Sequence, residues 1–206
     1  MHTKPFLVFL ILFAYSFVCF GQNQKVSVKI DSIRNYLDHN NFAHSAATVL
    51  EKVLNSDEFR NRVLTGKFIR TNGMSNQELY DLIIKAHEIH GKGGKDNVVD
   101  LRLRTLTLEE DGAGWLKSCE IGSPDGTIGV DGGGSGICAI CPQRLELWVD
   151  EKNIPELAGH YAHEYMHILG FSHERSFITQ GRRWREKTFV YKIGNIVSEL
   201  ASEYQR

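Results

Sequence analysis

Apolar residues recur at helical spacing over residues 42–54, where Phe42, Ala46, Val49, Leu50, Val53 and Leu54 share a face. Ser56 can cap a second, shorter helix that carries Phe59, Val63 and Leu64, with Asp57 and Glu58 in its first turn and Gly66 at its end. Ser75, with Glu78 three residues on, forms a capping box. Leu79, Ile83, Ala86 and Ile89 make the buried stripe that follows, and Gly91 stops it. Over 98–108 the period changes to two: Val99, Leu101, Leu103 and Thr105 face one way, Arg102 and Arg104 the other, which predicts a strand. Residues 144–149 alternate again and predict a second short strand. A helix is expected over about 155–169, capped by Asp150 or Asn153, with Pro155 near its first position. After Gly170 the chain reads as loop until Phe189, and a last helix over about 194–204 uses Ile196, Val197, Leu200 and Ala201. Residues 22–40 are polar and expected to be ordered only in part, and 109–136 are rich in glycine and loop-like.

The first 21 residues change the picture of where this chain works. Residues 5–20 carry no charge, are too short for a bilayer span, and end at Cys19-Phe20-Gly21, with small residues at the two positions signal peptidase reads. A signal peptide cleaved near Gly21/Gln22 implies a secreted or periplasmic protein with no membrane contact after cleavage. Of 206 residues, 185 then remain, enough for one domain with its own core. Lys plus Arg is 24 against 25 for Asp plus Glu, so no basic excess exists to hold a phosphate backbone, and nucleic acid is not an expected partner. Oligomeric state is left open.

Three cysteines follow the leader: Cys119, Cys138 and Cys141. In an oxidising compartment one disulfide is expected, from Cys119 to Cys138 or Cys141, with one thiol left over. The Cys138–Cys141 spacing also suits a redox pair. The run Asp131-Gly132-Gly133-Gly134-Ser135-Gly136 lacks the lysine of a phosphate cradle and reads as a loop. His87-Glu88-Ile89-His90 has one residue too few for a metal motif and reads as an exposed helix end.

The chemistry concentrates in His163-Glu164-Tyr165-Met166-His167-Ile168-Leu169-Gly170-Phe171-Ser172-His173. On a helix, His163 and His167 lie one turn apart on one face, so two imidazoles can meet one metal ion. Gly170 lets the backbone leave the helix with positive φ and bring His173 back as a third ligand. Three nitrogens with an open fourth position suit a catalytic Zn2+. Glu164, beside His163, is placed to act as general base on a zinc-bound water. His160 lies three residues earlier and reads as either a neighbour of the site or a surface residue.

At these residues the chain resembles the metzincin clan of zinc metallopeptidases, in its astacin-like form, through Gly170-Phe171-Ser172-His173-Glu174. The resemblance implies an α+β zincin fold with a mixed sheet, an active-site helix and a C-terminal helix, and a zinc-dependent endopeptidase acting on protein or peptide substrate. It maps His163, His167 and His173 onto the metal ligands, Glu164 onto the base, and Glu174 onto a structural role. It maps residues 144–149 onto an edge strand that pairs with extended substrate. The methionine that metzincins place beneath the metal is absent, since none follows Met166. The turn 189–194 is the nearest substitute, with Tyr191 below or beside the metal. The implied organisation is a signal peptide over 1–21, a helical N-terminal segment over 22–74 and a catalytic domain over 75–206. Two alternatives stand beside it. One is a gluzincin-type protease with Glu199 as third ligand; the other is a secreted protein that binds zinc without catalysis.

Overall fold

The computed structural model describes residues 25–36, 38–88, 96–113, 116, 119, 129–131, 136–172 and 186–205. The expected signal peptide, the turn at Gly91, Ile89, His90, most of the glycine-rich loop, His173 and Glu174 lie outside the described residues.

Four strands form one sheet. In chain order they are β1 (Ser27–Arg34), β2 (Val98–Thr105), β3 (Gly129–Asp131) and β4 (Ile137–Ile140), in the spatial order β1-β2-β4-β3. β1, β2 and β4 run parallel, and β3 pairs antiparallel with β4. β1 corrects the expectation for 22–40, and with it the idea that the N-terminal segment is helical alone. Its alternation, Val28 then Ile30, breaks at a register shift between Ile30 and Ser32, and Ile33 resumes the inward face. That irregularity disguises a period of two. Side-chain contacts from the following helix, α1 (Asn40–Leu54), secure the strand. Glu51 accepts from the Val28 N–H at 2.7 Å, and Asn55 both accepts from the Val26 N–H and donates to its carbonyl.

Between β1 and β2 run α1, α2 (Asp57–Thr65) and α3 (Asn76–Lys85). Ser56 caps α2 through the Phe59 N–H, and Ser75 and Glu78 complete the capping box of α3. α3 stops sooner than Gly91, at Ala86, which takes a left-handed conformation at φ 45°. Glu88 is therefore not on an exposed helix end: it is half-buried against β2, accepting from the Asp100 N–H at 3.0 Å. In β2, Val99, Leu101 and Leu103 enter the core as expected. Arg104 is buried too, because Asp111 at the end of α4 (Leu108–Asp111) grips its guanidinium with both carboxyl oxygens, at 2.6 and 2.7 Å.

Residues 144–149 are not a strand. They belong to α5 (Pro142–Asp150), with Cys141 as N-cap, Pro142 in the first turn, and Leu145 and Trp148 buried three residues apart. Two apolar residues at that spacing suit a helix, and Pro142 starts one without wasting an N–H. α6 (Ile154–Ile168) follows, with Asn153 accepting from the Glu156 N–H. It is buried on almost every side, as expected of a helix threaded through the core. The final helix, α7 (Phe189–Glu203), begins five residues before Gly194. Gly194 is no breaker here, because it faces Gly159 of α6: a Cβ on Gly159 would stand 2.8 Å from the Gly194 carbonyl oxygen. Two missing side chains let the helices touch backbone to backbone. Among the described residues no helix is long and apolar enough to cross a membrane.

One continuous core joins α1, α2, α3, the inner sheet face, α6 and α7. A smaller cluster, Leu106, Cys119, Ala139 and Cys141, covers the other face of β4. Strand alternation thus sends Cys138 into the main core and Cys141 to the opposite side. The disulfide is Cys119–Cys141, and Cys138 is a buried free thiol, so Cys138 and Cys141 do not form a redox pair.

Candidate metal centre

The site is carried by the last two turns of α6. His163 and His167 are half-buried, and their ring centroids stand 5.1 Å apart, edge to face. The helix pitch that sets residues 163 and 167 one above the other is the sole requirement for this. Nδ1 of His167 lies 2.8 Å from the Phe171 carbonyl oxygen, so the proton sits on Nδ1 and the lone pair on Nε2. A backbone carbonyl behind one ring nitrogen is how proteins orient an imidazole toward a metal. Gly170 makes this possible: at φ 90° it turns the chain back so that Phe171 lies against the helix it has just left.

Phe171 also anchors α7. Its ring meets Phe189 at 4.6 Å, and Phe189 meets Phe68 at 5.3 Å. Ile69 bridges Thr188, and the Phe189 N–H donates to the Ile69 carbonyl. The linker between α2 and α3 thus straps down the start of α7. Residues 189–194, expected as a turn beneath the metal, are helical instead. Even so, Tyr191 stands beside His163, with centroids 4.6 Å apart and ring planes at 82°. The close packing at Gly159 and Gly194 holds the two helices at the distance that allows it.

Glu164 is on the inner side of α6 and is 3% exposed. Its Oε1 faces Nδ1 of His160 at 3.7 Å. Burial pushes the neighbouring Tyr36 hydroxyl and Cys138 thiol well above their ordinary pKa values, and the nearby Glu164 carboxyl pushes in the same direction. His160 is buried, which removes the surface reading of that residue. Burial lowers its pKa to about 4, against the opposing pull of a hydrogen bond to Ala139, so the ring is neutral near pH 7.

The gluzincin alternative needs Glu199 near the metal. α6 and α7 run antiparallel, since Tyr191 meets His163 while Ser198 donates to Glu156. Glu199 is therefore level with the first turn of α6, about 12 Å along the helix from His163, and it pairs with Arg62 of α2.

Two of the three expected ligands lie within the described residues and suit a divalent ion; His173 lies outside them. Among the described residues no group of three His, Cys, Asp or Glu side chains could hold a metal. The signals that sequence reading missed were Phe171 as a backbone acceptor for His167 and the glycine pair that sets Tyr191. No family model, curated protein or solved structure matches this chain.

Proposed function

We propose that this protein is a secreted, zinc-dependent metallopeptidase that hydrolyses peptide bonds in protein or peptide substrates. One observation carries the reading: two imidazoles of a single helix face converge, half-exposed, and the His167 ring is oriented from behind by the Phe171 carbonyl at 2.8 Å. A surface helix with two ordinary histidines has no need of that orientation. His163 and His167 would hold the ion, with His173 as the third ligand expected from the sequence. Bound there, zinc would acidify a coordinated water and polarise a substrate carbonyl. Glu164 accepts a proton at its carboxyl and returns it to the departing amine. Tyr191 restrains the His163 ring from the side. With 144–149 helical, substrate strand addition passes to β3, the outer strand of the described sheet, whose antiparallel backbone can pair with an extended peptide.

The deep burial of Glu164 favours a second reading, in which the chain binds zinc without turnover. Glu164→Gln separates the two. The peptidase reading expects zinc bound at parent stoichiometry and hydrolysis of a generic protein substrate reduced by about 10²–10⁴-fold or more. Zinc bound at stoichiometry with no hydrolysis by the parent protein would establish the second reading. Hydrolysis that survives the substitution would remove Glu164 from the mechanism.

A further inference from the structure

We propose that the linker over 66–70 is part of the metal centre: Phe68 and Ile69 are positioning residues that fix His167 and His163 through the first turn of α7. The proposal rests on the zinc reading above, and it holds whether or not the bound ion turns over a substrate.

Two routes run from the linker to the histidines. The first is aromatic. The Phe68 ring meets Phe189 edge to face at 5.3 Å, and Phe189 meets Phe171 at 4.6 Å. Both separations fall where such pairs attract beyond simple burial. Phe171 and Phe189 are buried, so close packing resists a shift of either ring. Phe171 then presents its carbonyl oxygen 2.8 Å from Nδ1 of His167. The second route is backbone. The Ile69 N–H donates to the Lys187 carbonyl at 3.3 Å, and the Ile69 carbonyl accepts from the Phe189 N–H at 2.9 Å. That N–H is the first of α7, a donor the helix cannot pair by itself. Two residues on, Tyr191 lies against the His163 ring at 4.6 Å. One short linker thus braces both imidazoles.

The linker is shaped for these contacts. Gly66 has an ordinary φ of −67°, so its backbone does not require glycine. A Cβ there would overlap the Phe68 ring, 2.6 Å from its Cε2, and would stand 2.8 Å from the Arg62 carbonyl oxygen. The missing side chain makes room for the ring. Arg70, just past the bridge, is held at φ 62°, a conformation that a β-carbon disfavours. A linker that only joined α2 to α3 would need neither feature. The benefit falls on the metal: an imidazole already held in place loses less rotamer freedom when an ion binds.

The test uses the full chain and zinc itself. Phe68 is only half-buried, so Phe68→Ala removes the brace while leaving most of the core in place. Loss of a group that orients a ligand costs about 10- to 100-fold in metal affinity. Phe68 acts at one remove, so zinc affinity, read by competition with a chelating indicator, should fall about 10-fold. Phe68→Leu, which keeps an apolar body against Phe189, should recover most of that loss. A second readout needs no metal: the Phe171 carbonyl 13C resonance of the apo-protein should move in Phe68→Ala and return toward the parent in Phe68→Leu. Ile30→Ala, a truncation of another half-buried residue at the outer edge of the sheet, is the control for stability lost without the brace, and should leave both readouts at parent values. If Phe68→Ala does not fold, Gly66→Ala, which displaces the ring without shrinking it, takes its place with the same expectation. A parent protein that binds no zinc overturns the zinc reading and this role with it. A zinc-binding parent in which Phe68→Ala leaves either the affinity or the Phe171 resonance at the level of the Ile30→Ala control overturns the brace alone.

Discussion

Glu88 shows how one carboxyl can set a pH dependence away from any site. Half-buried against β2, it is pushed up to about 7 from an ordinary 4.5, chiefly by desolvation, while the Asp100 N–H pulls the other way. The folded protein therefore holds this proton more tightly than the unfolded chain does. A raised carboxyl pKa stabilises the fold below about 4.5 and loses that contribution as pH rises through about 7. Melting temperature followed from pH 4.5 to 8 should contain this loss, and Glu88→Gln, which keeps the acceptor for Asp100, should flatten that part of the curve. An unchanged slope would remove Glu88 as its source. Ser75 is a smaller case. Replacing it with alanine deletes the side-chain half of the α3 capping box and should lower stability by about 1 kcal/mol in a denaturant titration.

Among the elements, the pairing of α6 with α7 decides the shape of the site. Gly159 and Gly194 meet where no side chain fits: a Cβ on Gly194 would lie 3.0 Å from the Gly159 carbonyl oxygen and 3.2 Å from Cβ of His163. Backbone yields less readily than a flexible side chain, so Gly194→Ala requires the two helices to give by a few tenths of an ångström. A stability loss of about 1–3 kcal/mol is expected, typical of overpacking. Because the same contact holds Tyr191 against His163, zinc affinity should weaken as well. A surface control such as Ser45→Ala, on the exposed side of α1, should leave both unchanged. Gly194→Ala with parent melting temperature and zinc affinity would show that the helices are not held in this contact. The same pairing explains why α7 was expected to start at Gly194. Read along the chain, glycine looks like a boundary; read across to a second helix, it is the point of closest approach.

For the whole molecule, the disulfide and the shared core matter most. Cys119–Cys141 closes a loop with a sequence separation of 22 and pins the N-cap of α5 to the glycine-rich excursion. Loop entropy alone makes such a bridge worth about 3 kcal/mol, so Cys119→Ser with Cys141→Ser should lower the unfolding free energy by roughly that amount. Thiol titration of the unreduced chain starting at Gln22 should find one thiol, Cys138, that reacts slowly in the folded state and at once in denaturant. Three reactive thiols would mean that the bridge does not form. Residues on both sides of 74/75 share one core: β1 pairs along β2, and the 66–70 linker grips the start of α7.

The helices over 42–54, 57–65 and 155–168, the capping box at Ser75, the strand at 98–105 and the histidine face of α6 were legible in the sequence, because each depends on residues within a turn or two of one another. Spacing puts His163 and His167 together whatever surrounds them, and Gly170 turns the chain through its own φ. Tertiary structure decided the rest. β1 exists because β2 supplies its hydrogen bonds, and its register shift hid the alternation that would have marked it. Residues 144–149 alternate on paper but fold as α5, since Pro142 and the burial of Leu145 and Trp148 against the core outweigh a six-residue pattern. Cys119 found Cys141 rather than Cys138 because alternation along β4 sends neighbouring cysteines to opposite faces of the sheet. Whether a histidine at 160 faces solvent or the interior beside Glu164 cannot be read from its neighbours in sequence, because what buries it, Trp148 among others, belongs to elements that pack on α6 from elsewhere.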